Sequence, residues 1–181
     1  MAGGVGHNLR GKQSGDTVET VVEQSLVEAQ AALDALSVEP PEAGDVPIIV
    51  KKTSDTRAEF TIKGLINCVG VVIRVYGAGG GMDFVAAVGG HFNTPTMYDS
   101  ESEALTDKGR AFIVGINGLI AEFDKSDLEV QFIVGKPAVE SESGGGSEAV
   151  VEGTKVANLL KATLGLGGSV DQGDSAFKVS I

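Results

Sequence analysis

Apolar and polar residues alternate over several short stretches after about residue 47, and these stretches predict β-strands. The clearest is LEVQFIV, where Leu128, Val130, Phe132 and Val134 alternate with Glu129, Gln131 and Ile133. The β-branched run at residues 57–76 predicts one or two strands. FVAAVGGHF predicts a strand that returns beside it, and AFKVSI predicts a last alternating strand. PIIVKK marks the start of the compact part, near Pro47.

Apolar residues recur at helical spacing in three segments, which predict helices at residues 16–36, 102–123 and 154–164. Asp16 and Glu19 have the spacing of a capping box at the start of the first helix. Gly115 and Gly118 weaken the second helix, so we expect them to allow close approach to a sheet. Gly165 is a natural stop for the third helix.

The order of these elements predicts an α+β (α/β) layered sandwich, in which mixed β-sheets pack against two main helices. Residues 1–15 are expected to be a disordered tail. Residues 16–46 are expected to form an N-terminal amphipathic helix and a proline-rich linker, followed by one domain over residues 47–181. The acidic side of the first helix is expected to face solvent or a regulatory protein partner. TPTMYDSESE and ESESGGGSE are predicted to be a polar connection and a mobile loop.

Charge and composition narrow the choice of function. The 181 residues carry a net charge of −11, which disfavours a nucleic-acid partner because phosphate binding needs a basic surface. No apolar run approaches the roughly 20 residues that span a bilayer, so membrane insertion is not expected. The start of the chain lacks the apolar segment of a secretory signal, and one cysteine cannot form an internal disulfide. The prediction is a cytoplasmic protein, with specialised export left open.

Two residues carry the candidate chemistry, Cys68 and His91. Cys68 is the single cysteine, and on composition alone a cysteine in an apolar strand is more often a small buried hydrophobe. Its neighbours Asn67 and Gly70 are unusual for a core strand, and a glycine-rich backbone offers N–H groups that can hold an oxyanion. His91 is the one plausible base outside the N-terminal tail. A returning strand would bring it beside Cys68.

Other chemistries fit poorly. GAGGG has Met82 where a dinucleotide loop needs its third glycine, so we predict a hairpin loop there. One cysteine and one histidine are too few for a zinc site, and DKSD lacks the length of a calcium loop. No G-x-S-x-G motif is present. No metal and no cofactor are predicted.

Two short motifs resemble the chemotaxis CheD family, the chemoreceptor glutamine deamidases, and more distantly the deamidase domains of cytotoxic necrotizing factor toxins. The family's Gly-Leu-Gly-Ser-Cys-Val is matched by GLINCV, which ends at Val69. The family's His-Phe-x-x-Pro is matched by HFNTP, which begins at His91. The elements that follow come in the same order, and the resemblance covers residues 47–181.

The resemblance implies a protein glutamine deamidase in which the Cys68 thiolate attacks a side-chain amide and His91 moves the proton. The third family residue is a threonine six places before the cysteine. Ile62 holds that position here, and Thr61 precedes it, so Thr61 would serve only if a bulge shifted it. Asn67, Val69 and Thr94 are the predicted supporting residues, for the oxyanion or in place of the threonine. The implied partner is a glutamine-bearing, chemoreceptor-like protein.

Two alternatives share this fold. One is a catalytically inactive, CheD-like binding module, which the displaced threonine favours. The other is a related thiol amidase or acyl transferase, which would pass the same thioester to an amine. The deamidase hypothesis predicts an accessible Cys68 whose sulfur lies within hydrogen-bond reach of His91.

Overall fold

The structure, a computed structural model, describes residues 39–53, 57–77, 83–136 and 145–181, with side chains from residue 148 in the last range. The predicted tail and first helix lie outside the described residues, as do the glycine-rich stretch at 78–82 and residues 137–144, which hold the first part of the predicted mobile loop. The described part forms one compact unit, Pro40–Ile181.

The unit contains nine strands and three α-helices in its described ranges. The strands are β1 (Ile48–Lys51), β2 (Glu59–Lys63), β3 (Val69–Tyr76), β4 (Phe84–Phe92), β5 (Tyr98–Asp99), β6 (Ala104–Leu105), β7 (Leu128–Gly135), β8 (Ser169–Gly173) and β9 (Ala176–Ser180). The helices are α1 (Thr94–Met97), α2 (Asp107–Ile120) and α3 (Gly145–Leu164).

A five-stranded sheet in the order β1-β4-β3-β7-β8 is the centre of the fold. Its pairs are antiparallel, except that β8 runs parallel to β7. β3 is apolar at nearly every position because the sheet is covered on both faces at this strand. β2 and β9 pair separately, and β5 pairs with β6.

Each face of the five-stranded sheet has its own core. The helix-side core joins the sheet to α2 and α3, and includes Val71, Phe92, Phe112, Phe132 and Leu160. The sheet-side core joins it to the β2–β9 pair, and consists of Ala43, Phe60, Ile62, Leu65, Cys68, Val72, Ala87, Ile133 and Val179. The protein is therefore an α+β layered sandwich of mixed sheets and helices, as predicted.

Several helices begin at other residues than the sequence predicted. The helix expected at 102–123 is α2, which begins after Thr106 because the Thr106 hydroxyl accepts the Gly109 N–H at 3.3 Å and so caps it. The predicted polar connection before it contains α1 and β5, and Met97 is buried there. β6 lies within the segment expected to be helical. The helix expected at 154–164 is α3, which begins earlier, at Gly145.

The compact unit begins at Pro40, before the expected start at Pro47. Residues 41–43 run beside β2, where the Thr61 N–H donates to Pro41 O at 2.9 Å and the Ala43 N–H donates to Thr61 O at 2.7 Å. Ala43 is buried in the sheet-side core. Part of the expected linker is therefore an ordered segment of the domain that forms an isolated β-bridge with β2.

Candidate active site

Cys68 lies between a tight turn and the first residue of β3. The Cys68 N–H donates to Leu65 O at 3.4 Å across this turn, and Asn67 takes a positive φ of 58°. A type II turn needs a positive φ at its third residue, which asparagine tolerates better than most residues. Beyond the turn, Cys68 O accepts the Gly135 N–H at 3.1 Å, so the sheet fixes the backbone of Cys68.

The strand register puts Cys68 and His91 on the same face of the sheet. His91 is paired with Gly70, and Cys68 is two residues before Gly70, so all three point to one side. Diagonal neighbours of this kind have Cβ atoms about 7 Å apart or less. Gly70 has no side chain, and the Leu65 side chain fills the space beside it, within 3.4 Å of where a Cβ would lie. The returning strand therefore places Cys68 and His91 on one face of the sheet.

The thiol of Cys68 is nearly covered, with 5% of the residue exposed, rather than accessible as predicted. It shares the sheet-side core with Ile62 and Leu65. Burial raises the pKa of Cys68, and the nearby Asp45 carboxylate adds to the rise, while a hydrogen bond from the Thr94 backbone N–H to the sulfur opposes it. The resting thiol is therefore protonated at neutral pH.

His91 is held with one ring nitrogen facing a carboxylate and the other unpaired. Its Nδ1 lies 3.7 Å from Asp45 Oδ1, and 15% of its side chain is exposed. Its Nε2 is buried and has no hydrogen-bond partner among the described residues, Cys68 included. Burial lowers the pKa of His91, against smaller opposite effects of Asp45 and Glu42. The imidazole is therefore neutral at pH 7, and the expected thiol–imidazole hydrogen bond is not made in this structure.

Thr61 does not reach this pair. β2 pairs with β9 in regular register from Glu59 to Lys63, so no bulge turns Thr61 around. Phe60 and Ile62 point into the sheet-side core, and Thr61 points to the other side of β2. Its buried hydroxyl has no hydrogen-bond partner in the described ranges. The prediction of Thr61 as a third catalytic residue is therefore wrong for this structure.

The three supporting residues have different positions. Thr94 is buried at the start of α1, where its N–H contacts the Cys68 sulfur. Asn67 shapes the turn, and its side chain is exposed. Val69 pairs with strands on both sides, and its side chain lies in the helix-side core, so its backbone groups belong to the sheet rather than to the site. Thr94 is thus the one of the three that contacts the thiol.

Asp45 is the charged neighbour that sequence reasoning missed. It lies in EAGDVP, which was assigned to a linker, and no periodicity marks it. Its carboxylate lies 3.7 Å from Nδ1 of His91 and acts to raise the pKa of both Cys68 and His91. Such a contact arises only from tertiary packing, because Asp45 and His91 are far apart in sequence.

No protein-family model matches the chain, and a search of curated proteins also finds no match. The similarity to the CheD family therefore rests on the motifs quoted above. Within the described ranges, no three histidine, cysteine or acidic residues are grouped closely enough to hold a metal ion. The described helices include none that is both long and apolar enough to cross a membrane.

Proposed function

We propose that this protein is a cysteine-dependent protein glutamine deamidase. The observation that supports this most directly is the register of β3 and β4, with Cys68 and His91 diagonal on one face and glycine opposite His91. Acyl transfer from an amide requires a nucleophile and a base that can come within hydrogen-bond reach. This register puts both residues on one face, and Nε2 of His91 has no other partner among the described residues. The motifs around both residues support glutamine as the amide.

Both residues are neutral at rest, so His91 acts as a general base during attack. The sulfur bonds to the amide carbon of a glutamine side chain, and the thiol proton moves to Nε2 of His91. The tetrahedral intermediate places negative charge on the former carbonyl oxygen. The Thr94 N–H is the nearest candidate to stabilise it, since it lies at the sulfur, whereas the Cys68 N–H already donates to Leu65 O.

The intermediate collapses when the C–N bond breaks and His91 returns its proton to the departing ammonia. Water then attacks the thioester, with His91 again taking a proton, and the C–S bond breaks to release glutamate and the free thiol. The partner protein gains one negative charge. An acyl transferase would follow the same steps, with an amine in place of the water.

A protein substrate fits the exposed surface beside the pair. Ile66, in the turn before Cys68, and Val46, next to Asp45, are both exposed apolar residues. Single exposed apolar side chains are common on protein surfaces, and these two are offered as contact points for a protein substrate because they flank the site. We propose a glutamine-bearing, chemoreceptor-like protein as the substrate, and the cytoplasm, where a lone cysteine stays reduced, as the place of action.

A glutamine-mimicking probe tests this function without knowledge of the substrate. A peptide carrying 6-diazo-5-oxonorleucine in place of glutamine should alkylate Cys68 once, as seen by intact mass. Labelling should be roughly 10²–10⁴-fold slower in His91→Gln, because the base is lost. Labelling no faster than that of free cysteine, or equal in wild type and His91→Gln, would rule out the proposed site. Ammonia release from a glutamine peptide, compared with Cys68→Ala, gives the reaction itself.

The near-complete burial of Cys68 favours a second candidate, a binding module that kept the fold without the reaction. In that case the probe would leave Cys68 unlabelled. A partner captured by the wild-type chain would also be captured by Cys68→Ala with equal affinity.

A further inference from the structure

The segment at residues 41–45 joins the two sheets beside His91. Its first part runs along β2, where Thr61 exchanges backbone hydrogen bonds with Pro41 and Ala43. Gly44 O then accepts the His91 N–H at 2.9 Å, at the free edge of β4 beyond β1. The backbone of this segment is thus anchored at both ends, and the next residue, Asp45, is held at the imidazole.

The Asp45 carboxylate faces one particular nitrogen of the ring. Its Oδ1 lies 3.7 Å from Nδ1, and Nε2 is the nitrogen without a partner in the described part of the chain. A carboxylate at Nδ1 favours a proton on that nitrogen. Nε2 then carries the lone pair, which is the form a base needs to accept the thiol proton.

The distance of 3.7 Å is longer than a hydrogen bond, and a shift of less than 1 Å would close it. Bonds between catalytic groups are often long without substrate and tighten in the complex. Asp45 is half-exposed, so its side chain has room to move toward the ring. Imidazolium formation during attack would draw the carboxylate closer, because opposite charges attract.

The other groups around His91 are less suited to this role. Glu42 also acts to raise the pKa of His91, but less than Asp45 does, and it pairs with Lys63 at 3.3 Å. Thr61 points to the other side of β2, and the Thr94 hydroxyl lies at the residue that contacts Cys68. α1 carries no titratable residue, and the turn before β3 supplies Cys68.

We propose that Asp45 is the positioning residue of His91. It would take the role that a threonine has in the CheD family, and it comes from the segment that precedes β1. This inference rests on the proposed function for its catalytic meaning, but the Asp45–His91 contact can be tested without activity.

The first test follows the His91 ring by ¹⁵N NMR in the full chain, with His7→Gln as background so that one histidine remains. Wild type should show the Nδ1–H tautomer. In Asp45→Asn the tautomer should shift toward Nε2–H, and the pKa of His91 should fall further because a favourable charge is lost. Glu42→Gln is the matched control, since it removes one carboxylate charge nearby and should leave the tautomer unchanged. An identical ring signal in wild type and Asp45→Asn would overturn the proposal.

The second test measures the labelling rate of Cys68 by the diazoketone peptide. Asp45→Asn should lower the rate roughly tenfold, as expected for loss of a half-exposed charge about 4 Å away. Asp45→Glu should recover part of it, and Glu42→Gln should remain near wild type. If the wild type is not labelled, the proposed function is contradicted, but the Asp45–His91 contact is not. The NMR measurement decides that contact separately. Normal labelling in Asp45→Asn would contradict the role of Asp45 alone.

Discussion

Burial shifts the pKa values of Cys68 and His91 in opposite directions. It raises the pKa of the Cys68 thiol and lowers the pKa of the His91 imidazole, so both are uncharged at neutral pH. A preformed thiolate–imidazolium pair is therefore not the resting state. The proton must move at the moment of attack, which makes the orientation of His91 more important than the basal reactivity of the thiol.

Because the chain has one cysteine, its alkylation rate measures the protonation state of the Cys68 thiol directly. Alkylation by iodoacetamide should be slow at pH 7 and should rise continuously to above pH 9, because the thiolate reacts and the raised pKa keeps it scarce. Intact mass against time, at a series of pH values, measures the rate. A rate already constant from pH 6 to 8 would show a thiolate at rest and contradict the raised pKa. Cys68→Ala is the control for reaction at other residues.

The sequence could predict Cys68 and His91 because both stand in short motifs on strands that fold back on each other. It could not predict Asp45, since that contact depends on how residues 41–45 cross from β2 to β4. The prediction for Thr61 failed because the regular β2–β9 register keeps Ile62 facing inward. Alternation along a strand predicts the face of the sheet toward which each side chain points. Only the observed strand register shows whether a bulge reverses that direction.

At the scale of elements, the turn before β3 depends on the backbone of Asn67. Asn67→Gly should preserve or slightly improve stability, because glycine accepts a positive φ. Asn67→Val should lower the free energy of unfolding by about 1–2 kcal/mol, because a β-branched residue disfavours that conformation. Urea unfolding of the two variants measures the difference. Equal stabilities would show that the turn relaxes without cost.

Alanine substitutions at two glycines compare a crowded position with an open one. At Gly89 an added Cβ would overlap the ring of the buried Phe60, so Gly89→Ala should destabilise the protein by about 1–3 kcal/mol. At Gly118 an added Cβ would meet nothing within 4 Å, so Gly118→Ala should stabilise α2 by about 0.5–1 kcal/mol. Thermal unfolding should shift in opposite directions. A destabilising Gly118→Ala would contradict the open space found beside that helix.

These positions also show the limit of reading elements from sequence. Gly118 was expected to approach the sheet but faces open space, and Gly115 meets Pro47 instead of a strand of the sheet. β8 was not predicted because its sequence, SVDQG, is largely polar and lies at the sheet edge. Long apolar strands such as β3 and β7 were predicted well, because a strand buried on both faces leaves a strong pattern.

At the scale of the whole molecule, the segment before β1 belongs to the domain. A chain that starts at Pro40 keeps the whole compact unit and is the reference for this comparison. A chain that starts at Pro47 loses three backbone hydrogen bonds and the buried Ala43, and should be about 2–4 kcal/mol less stable. Differential scanning calorimetry measures both. Similar stability of the two shortened chains would show that residues 40–46 contribute little.

The pairing of β2 with β9 has a consequence for how the protein folds. The Ser180 hydroxyl donates to the Glu59 carboxylate, a contact that spans 121 positions of the chain. Contacts over such separations form slowly, since a long loop must close before they give any stabilisation. The layer that covers Cys68 is therefore expected to assemble late, after the hairpin of β3 and β4. A brief pulse of thiol-modifying reagent during refolding should modify Cys68 only before that layer has formed. The fraction of modified Cys68 against refolding time would therefore measure when the β2–β9 layer assembles.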